Sequence, residues 1–281
     1  MLNKESPNMV KESNGKVSVI MGIYNCAETL PAAIDSIVKQ TYPNWELIMC
    51  DDCSTDQTYE IAKEYAEKYP KKIIVVKNPH NMHLAYSLNH CLRYATGEYV
   101  ARMDGDDLSV PERFEKQVKY LQKHPEVQLI GTAMQQFNEK DGNIQIIYKP
   151  EHTDKWTLHR QIPFNHATIM TYKSVYDALG GYTVAERTIR GQDYDLWFRF
   201  FAAGFTGDNI HEALYLVRED MNAIKRRTLK VRMLAFQTTK YGYELLGYPK
   251  RWLIKEFCKS FAKGITPHRV QYLYRKFQQK S

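Results

Sequence analysis

Over residues 17–103, four short apolar runs rich in β-branched residues alternate with segments of helical period, and this alternation constrains the fold more than any other feature. Residues 17–24 (VSVIMGIY) read as a buried strand. Leu30, Ile34, Ile37 and Val38 follow at helical spacing, with Thr29 as a candidate cap and Pro31 in the first turn. A second strand over 45–50, a charged helix over 56–69 with Ile61 and Tyr65 inward, and a third strand at Ile73–Lys77 come next. Leu84, Leu88, Leu92 and Ala95 mark a helix before a fourth strand over 98–103. Such an order implies right-handed crossovers and a mainly parallel sheet covered on both faces. Ligands of such sheets bind beyond the carboxyl ends of the strands. Here those ends carry Tyr24-Asn25, Asp51-Asp52 and Asp104-Gly105-Asp106-Asp107, polar groups suited to a nucleotide and a metal.

Past Pro111 the pattern changes. Residues 127–137 and 143–148 read as strands joined by an Asp141-Gly142 turn, and 168–172 as another strand. Gly180-Gly181-Tyr182 is a loop, and 192–203 (QDYDLWFRFFAA) is an apolar helix with acids at its start. From about Lys225 the chain reads as helical, basic and aromatic. At 281 residues, 43% hydrophobic and 25% charged, it is globular rather than disordered, one large domain with an appendage. No apolar run reaches the roughly 18–20 residues that span a bilayer. The first sixteen residues are polar and lack a signal peptide's apolar core, so a cytoplasmic protein is expected.

The formal charge of +7 is unevenly placed. Residues 225–281 hold 15 Lys/Arg against Glu244 and Glu256, a local net of +13, and residues 1–224 carry −6. Arg251, Lys255, Lys259 and Lys263 repeat every four residues beside Leu253, Phe257, Phe261 and Ile265, with Trp252 at the start. A second segment, 269–280, continues with Val270, Leu273, Tyr274 and Phe277 on one side. This basic amphipathic tail suits either an anionic membrane surface or packing on the domain before it. Nucleic acid is not expected, because no recognised binding fold accompanies the charge.

Five cysteines include Cys50-x-x-Cys53, but no second Cys/His pair stands at ligand spacing, so reduced bystander thiols are expected. Neither G-x-G-x-x-G after the first strand nor a P-loop, a G-x-S-x-G elbow or H-E-x-x-H is present. What remains is carboxylate chemistry. Asp104-x-Asp106 follows a buried strand, and three acids within four residues repel one another unless a cation such as Mg²⁺ or Mn²⁺ joins them. On residue chemistry alone, a solvated acidic turn is the other reading.

VSVIMGIYN, ELIMCDDCSTDQT, ATGEYVARMDGDDLSVPERFEKQ and RGQDYDLWFRF, in that order, resemble the blocks of the family 2 glycosyltransferases. The resemblance covers roughly residues 17–220. It implies a GT-A-type, Rossmann-like α/β fold: a mainly parallel mixed sheet flanked by helices, here with a C-terminal helical extension. The expected organisation is a polar extension over 1–16, the catalytic domain over 17–224 and the basic tail over 225–281. The implied activity is inverting, metal-dependent transfer from a UDP-sugar to a glycan or lipid-linked glycan, as in bacterial-type surface polysaccharide or glycolipid assembly. Peripheral attachment to the inner face of the membrane is a further expectation.

Carried over residue by residue, Tyr24 resembles the residue lying against the donor base, and Asp52 the acceptor of the uracil ring N–H. Asp51 orders that loop. Asp104 would meet the ribose or the metal and Asp106 the metal (Mn²⁺ or Mg²⁺), with Asp107 behind them or capping the next helix. Asp193 matches the general base. Residue chemistry alone does not separate it from Asp195, since both suit a helix's first turn. His166 is a candidate acceptor contact or a structural hydrogen-bonder, and Arg218 a candidate diphosphate contact or a surface cation. Trp197, Phe198 and Phe201 read as core. Two positions depart from the family: Gln192 where many members have Glu, and His83 where many have glycine, a change expected to alter that loop's backbone. Competing functions are a sugar-1-phosphate nucleotidyltransferase, whose glycine-rich basic loop is missing after the first strand, and a non-catalytic glycan- or membrane-binding protein.

Overall fold

Successive strand residues belong to two different cores. A computed structural model describes residues 15–138, 142–219 and 228–266. Its chain runs β1 (Val17–Ile23), α1 (Leu30–Val38), β2 (Trp45–Asp51), α2 (Thr58–Lys68), β3 (Ile73–Lys77), α3 (His83–Leu92) and β4 (Tyr99–Arg102). There follow β5 (Leu108–Ser109), α4 (Arg113–Lys123), β6 (Leu129–Asn138), β7 (Gly142–Ile147), β8 (His152–Thr153) and α5 (Lys155–Arg160). Last come β9 (Met170–Tyr172), α6 (Lys173–Leu179), α7 (Gln192–Ala202), β10 (Gly207–Arg218), α8 (Leu229–Leu246) and α9 (Arg251–Ile265).

The two-residue period of a strand sends Val19, Met21, Leu47, Met49 and Ala101 into one core with α1, α2 and α4. It sends Ile20, Ile48, Cys50 and Val100 into the other, with α3, α6, α7 and Tyr243 of α8. Burial on both faces explains why β1 and β2 read as continuous apolar runs rather than alternating ones. The sheet order is β3-β2-β1-β4-β9-β6-β10-β5, with β7 on β6 and β8 on β10. β1 is parallel to both β2 and β4, β2 to β3, and β6 to β10, while β9 enters antiparallel between β4 and β6. The mixed, mainly parallel α/β sheet is the expected one.

Thr29 does not cap α1 through its side chain. Its hydroxyl donates to the carbonyls of Cys26 (3.2 Å) and Gly105 (3.1 Å), tying the start of α1 to the acidic loop after β4. Residue 141 of the turn before β7, residues 1–14 and the segment 269–280 lie outside the described residues. The early part of the tail packs on the domain. Tyr243 and Tyr248 are buried with Phe198, and a Cβ on Gly242 would meet the Phe198 ring at 2.1 Å. Glycine is what lets α8 approach α7 this closely.

Candidate active site

The loops at the ends of β1 and β2 are held by left-handed backbone. Asn25 (φ 48°), Cys53 (φ 64°) and His83 (φ 65°) are the non-glycine residues with positive φ among those described. Each conformation costs on the order of 1–2 kcal/mol, and each flanks a residue of the cleft. Asn25 is fixed by Thr55 N–H donating to its Oδ1 (2.9 Å) and by its own N–H donating to Ser54 Oγ (3.1 Å). This leaves Tyr24 half exposed over the cleft.

Asp52 is buried, yet it lines the cleft. Its Oδ1 accepts from Asn78 Nδ2 (2.8 Å) and from Met82 N–H (2.7 Å), while Oδ2 accepts no hydrogen bond among the described residues. His83 holds a left-handed turn that glycine would adopt at no cost, so the residue carries strain, and the turn delivers the Met82 N–H to Asp52. Asp51 lies behind, accepting from Ser54 N–H (3.2 Å) and paired with Lys77 (3.7 Å). Cys50 is buried against Asn78 Oδ1 (3.3 Å) and forms no disulfide.

After β4, carboxylate oxygens of Asp104, Asp106 and Asp107 lie within 4.8 Å of one another. The fully buried Arg102 grips both oxygens of Asp104, and Asp104 N–H donates to Tyr215 Oη (3.1 Å). The carboxyl of Asp106 sits above the usual range, raised by desolvation and then by the Asp104 charge. Because Asp106 is exposed to solvent, the Asp104 charge is the weightier cause. Asp107 is buried and pushed well up by desolvation and by both neighbouring acids. It does not cap α4; its Oδ1 accepts from Arg218 N–H (2.8 Å), and Arg218 Nε donates to the Asp106 carbonyl (3.1 Å). Arg218 is therefore tied to the acidic loop from β10. Three hard oxygen donors gathered this closely form a set that suits Mg²⁺ or Mn²⁺.

A cleft of about 1370 Å³ holds Tyr24, Asp52 and Asp193 together. Asp104, Asp106 and Arg218 are outside its lining: the two acids stand on the loop that follows β4, the strand next to β1, and Arg218 ends β10. Asp193 opens α7, and its Oδ1 accepts from Tyr194 N–H (2.9 Å). Asp195 is 0% exposed and absorbed by the fold: Arg187 (2.5 Å), Arg199 (2.8 Å) and Thr183 (2.6 Å) all bind its carboxylate. Burial alone would raise its pKa, but these three donors outweigh burial and hold it low. The structure does not bring His166 into the cleft lining. Its Nε2 meets Tyr182 Oη (2.9 Å), its ring stands edge-on to Trp197, and burial pushes its pKa well down, the surroundings of a structural hydrogen-bonder. Trp197, Phe198 and Phe201 are core.

Residues 18–179 match the sequence pattern described as "Glycosyl transferase family 2". The chain belongs to the family 2 glycosyltransferases. EpsE of Bacillus subtilis (strain 168), named as a glycosyltransferase, is 53% identical to it over 216 residues, 77% of each chain. A relative in Escherichia coli, "UDP-Glc:alpha-D-GlcNAc-diphosphoundecaprenol beta-1,3-glucosyltransferase WfaP", is 28% identical over 195 residues, 69% of this chain and 73% of that one. The solved mannosyltransferase PcManGT from Pyrobaculum calidifontis, in complex with GDP-Man and Mn²⁺, shares the fold at a TM-score of 0.62 and 18% identity, over 95% of this chain and 81% of its own.

In this glycosyltransferase the tail is part of the cleft, which sequence reasoning missed. Val231, Arg232 and Thr239 of α8, and Glu256, Lys259 and Ser260 of α9, line it alongside Asp193. α8 braces the approach to Asp193, because Thr238 Oγ1 donates to the Arg187 carbonyl (2.7 Å) and Tyr241 lies under the Arg187 guanidinium (4.3 Å). Arg102 was also missed, although its place two residues before Asp104, at a strand end, is a signal visible in the sequence.

Proposed function

We propose that this glycosyltransferase moves a sugar from a UDP-sugar to a hydroxyl of a glycan or lipid-linked glycan with inversion, using a divalent metal, in surface polysaccharide or glycolipid assembly. The observation that carries this reading is the single cleft joining Tyr24 and Asp52, at the ends of β1 and β2, to Asp193 at the start of α7. Asp52 Oδ2 suits a ring N–H, which uracil and thymine have and cytosine lacks, and Tyr24 supplies a face for the base. The UDP-Glc donor and diphosphoundecaprenol acceptor in WfaP's name support the same donor and acceptor classes here.

Asp193 takes the proton of the acceptor hydroxyl as that oxygen attacks the anomeric carbon. One base and one in-line displacement invert the anomeric configuration, through an oxocarbenium-like transition state. Asp104 and Asp106, with Asp107 behind them, would hold Mg²⁺ or Mn²⁺, which when bound supplies Lewis-acid stabilisation of the leaving diphosphate. Arg218 adds a positive charge on that side. The nucleotidyltransferase reading lacks its basic glycine-rich loop at Gly22-Ile23-Tyr24-Asn25, and family membership favours transfer over passive binding. A screen of nucleotide-sugars with Mn²⁺ should release nucleotide from UDP-sugars first, dTDP-sugars second and CDP-sugars poorly. Turnover confined to CDP- or ADP-sugars, whose bases have no ring N–H, would overturn the role given to Asp52.

No helix among the described residues is long and apolar enough to cross a membrane. On α9, Trp252 and Leu253 pack on the core, but Ile254 (68% exposed), Phe257 (42%) and Phe261 (45%) reach solvent beside Arg251 and Lys255. We assign this face to a peripheral site on an anionic membrane, which would bring the cleft to a lipid-linked acceptor. Phe257→Ser with Phe261→Ser should reduce flotation with phosphatidylglycerol vesicles by about tenfold, in line with the loss of two interfacial aromatics. Equal flotation of the double variant and wild type would remove the assignment.

A further inference from the structure

The cleft has a charge asymmetry that the reaction above does not use. Among the described residues, its lining carries five cations, Lys149, Arg160, Arg190, Arg232 and Lys259, against Asp52, Asp193 and Glu256. The five come from separate segments: the stretch after β7, the end of α5, the loop before α7, and then α8 and α9. The part of the chain that folds into the sheet has an excess of acids, so this gathering is local. Lys149 is partly buried, and neither it nor Arg160 has a carboxylate partner among the described residues. Burial holds the Lys149 ammonium below its ordinary pKa, a cost that a bound anion would relieve. Among the described residues, the carboxylate partner of Lys259 is Glu256, at 3.6 Å.

These cations stand apart from the groups assigned to the donor diphosphate, Asp104, Asp106 and Arg218, which do not line the cleft. Most of them sit on the Asp193 side. α5 and α8 pack on α7, α9 packs on α8, and Arg190 is three residues before Asp193. At about 1370 Å³ the cleft also exceeds the roughly 300–1,000 Å³ typical of a site for one small ligand.

We propose that Lys149, Arg160 and Lys259 form a subsite for a phosphate or diphosphate group carried by the acceptor, which fixes the acceptor while its hydroxyl lies at Asp193. The inference rests on Asp193 being the base. Phosphate is the anion class that several separate cations bind best, through charge-assisted hydrogen bonds.

The test uses the full-length protein in EDTA, which removes any metal-borne route to the acidic loop. Calorimetric titration with inorganic pyrophosphate and with farnesyl diphosphate should show binding by the wild type. Lys149→Gln with Arg160→Gln should weaken both by about tenfold or more, the loss expected for charged hydrogen bonds. The melting temperature should hold, and Mn²⁺-dependent UDP binding should be unchanged. Tighter binding of farnesyl diphosphate than of pyrophosphate identifies a lipid-linked acceptor, and equal binding a phosphorylated glycan; both support the subsite. No pyrophosphate binding by the wild type, full binding by the variant, or displacement of pyrophosphate by UDP in EDTA overturns it. Failure of the wild type to bind Mn²⁺-UDP would instead count against the donor reading, which the EDTA titration does not touch.

Discussion

Asp193→Asn should leave Mn²⁺-dependent UDP binding intact and lower kcat by about 10²–10⁴-fold, the usual contribution of a positioned general base. Asparagine preserves the shape of α7's first turn and the oxygen that accepts from Tyr194 N–H, but it cannot take a proton at neutral pH. Asp195→Asn, two residues on, has the opposite signature. Its buried carboxylate is shared by Arg187 and Arg199, and breaking a buried network of this kind costs about 3–5 kcal/mol. The melting temperature should fall on the order of 10 °C, while any enzyme still folded turns over with a near-normal kcat. Sign follows from the depressed pKa: the stability Asp195 contributes is present above its unfolded value and is lost as pH falls through the lower folded one. Single-turnover kinetics and thermal melts on both variants separate the roles. Retained turnover in Asp193→Asn would refute the base assignment, and an unshifted melt in Asp195→Asn would refute the buried network.

That pair also shows where a sequence stops being legible. The four parallel strands were readable because burial on both faces leaves apolar, β-branched runs, and the cleft loops after β1 and β2 because polar residues stand at the strand ends. Asp193 and Asp195 look alike in one dimension. Two residues along a helix is a turn of about 200°, which puts one carboxylate in the cleft and the other in the core. One local clue existed, since Asp195 and Arg199 stand at i and i+4. Arg187, which completes the network, lies outside the helix and follows no helical spacing. The role of the tail was hidden for a similar reason. Leu253, Phe257 and Phe261 show only that α9 has an apolar face, whereas the contribution of Arg232, Glu256 and Lys259 to the cleft depends on α8 folding back against Phe198 through Gly242. His166 was ambiguous because its partner, Tyr182, is sixteen residues away across a glycine turn.

Asp106→Asn is expected to stabilise the metal-free enzyme while removing its function. A carboxyl whose folded pKa lies above its unfolded value costs folding free energy once ionised. That cost appears as pH rises through the unfolded pKa of about 3.8 and is complete above the raised folded one. At neutral pH the metal-free wild type therefore bears the mutual repulsion of Asp104, Asp106 and Asp107, and asparagine at 106 relieves part of it. The melting temperature of the variant in EDTA should lie above that of the wild type. Mn²⁺ should reverse the order: at a concentration one hundred times its dissociation constant, it stabilises the wild type by about 2.7 kcal/mol and leaves the variant nearly unmoved. The same charges make metal binding weaken as pH falls toward the raised Asp106 pKa, because protons then compete for the ligand oxygens. Arg102 holds both oxygens of Asp104 in place, so Arg102→Met should weaken Mn²⁺-dependent UDP binding. If Asp106→Asn melts below the wild type in EDTA, or if Mn²⁺ raises both equally, the three carboxylates are a structural turn and the metal is held elsewhere.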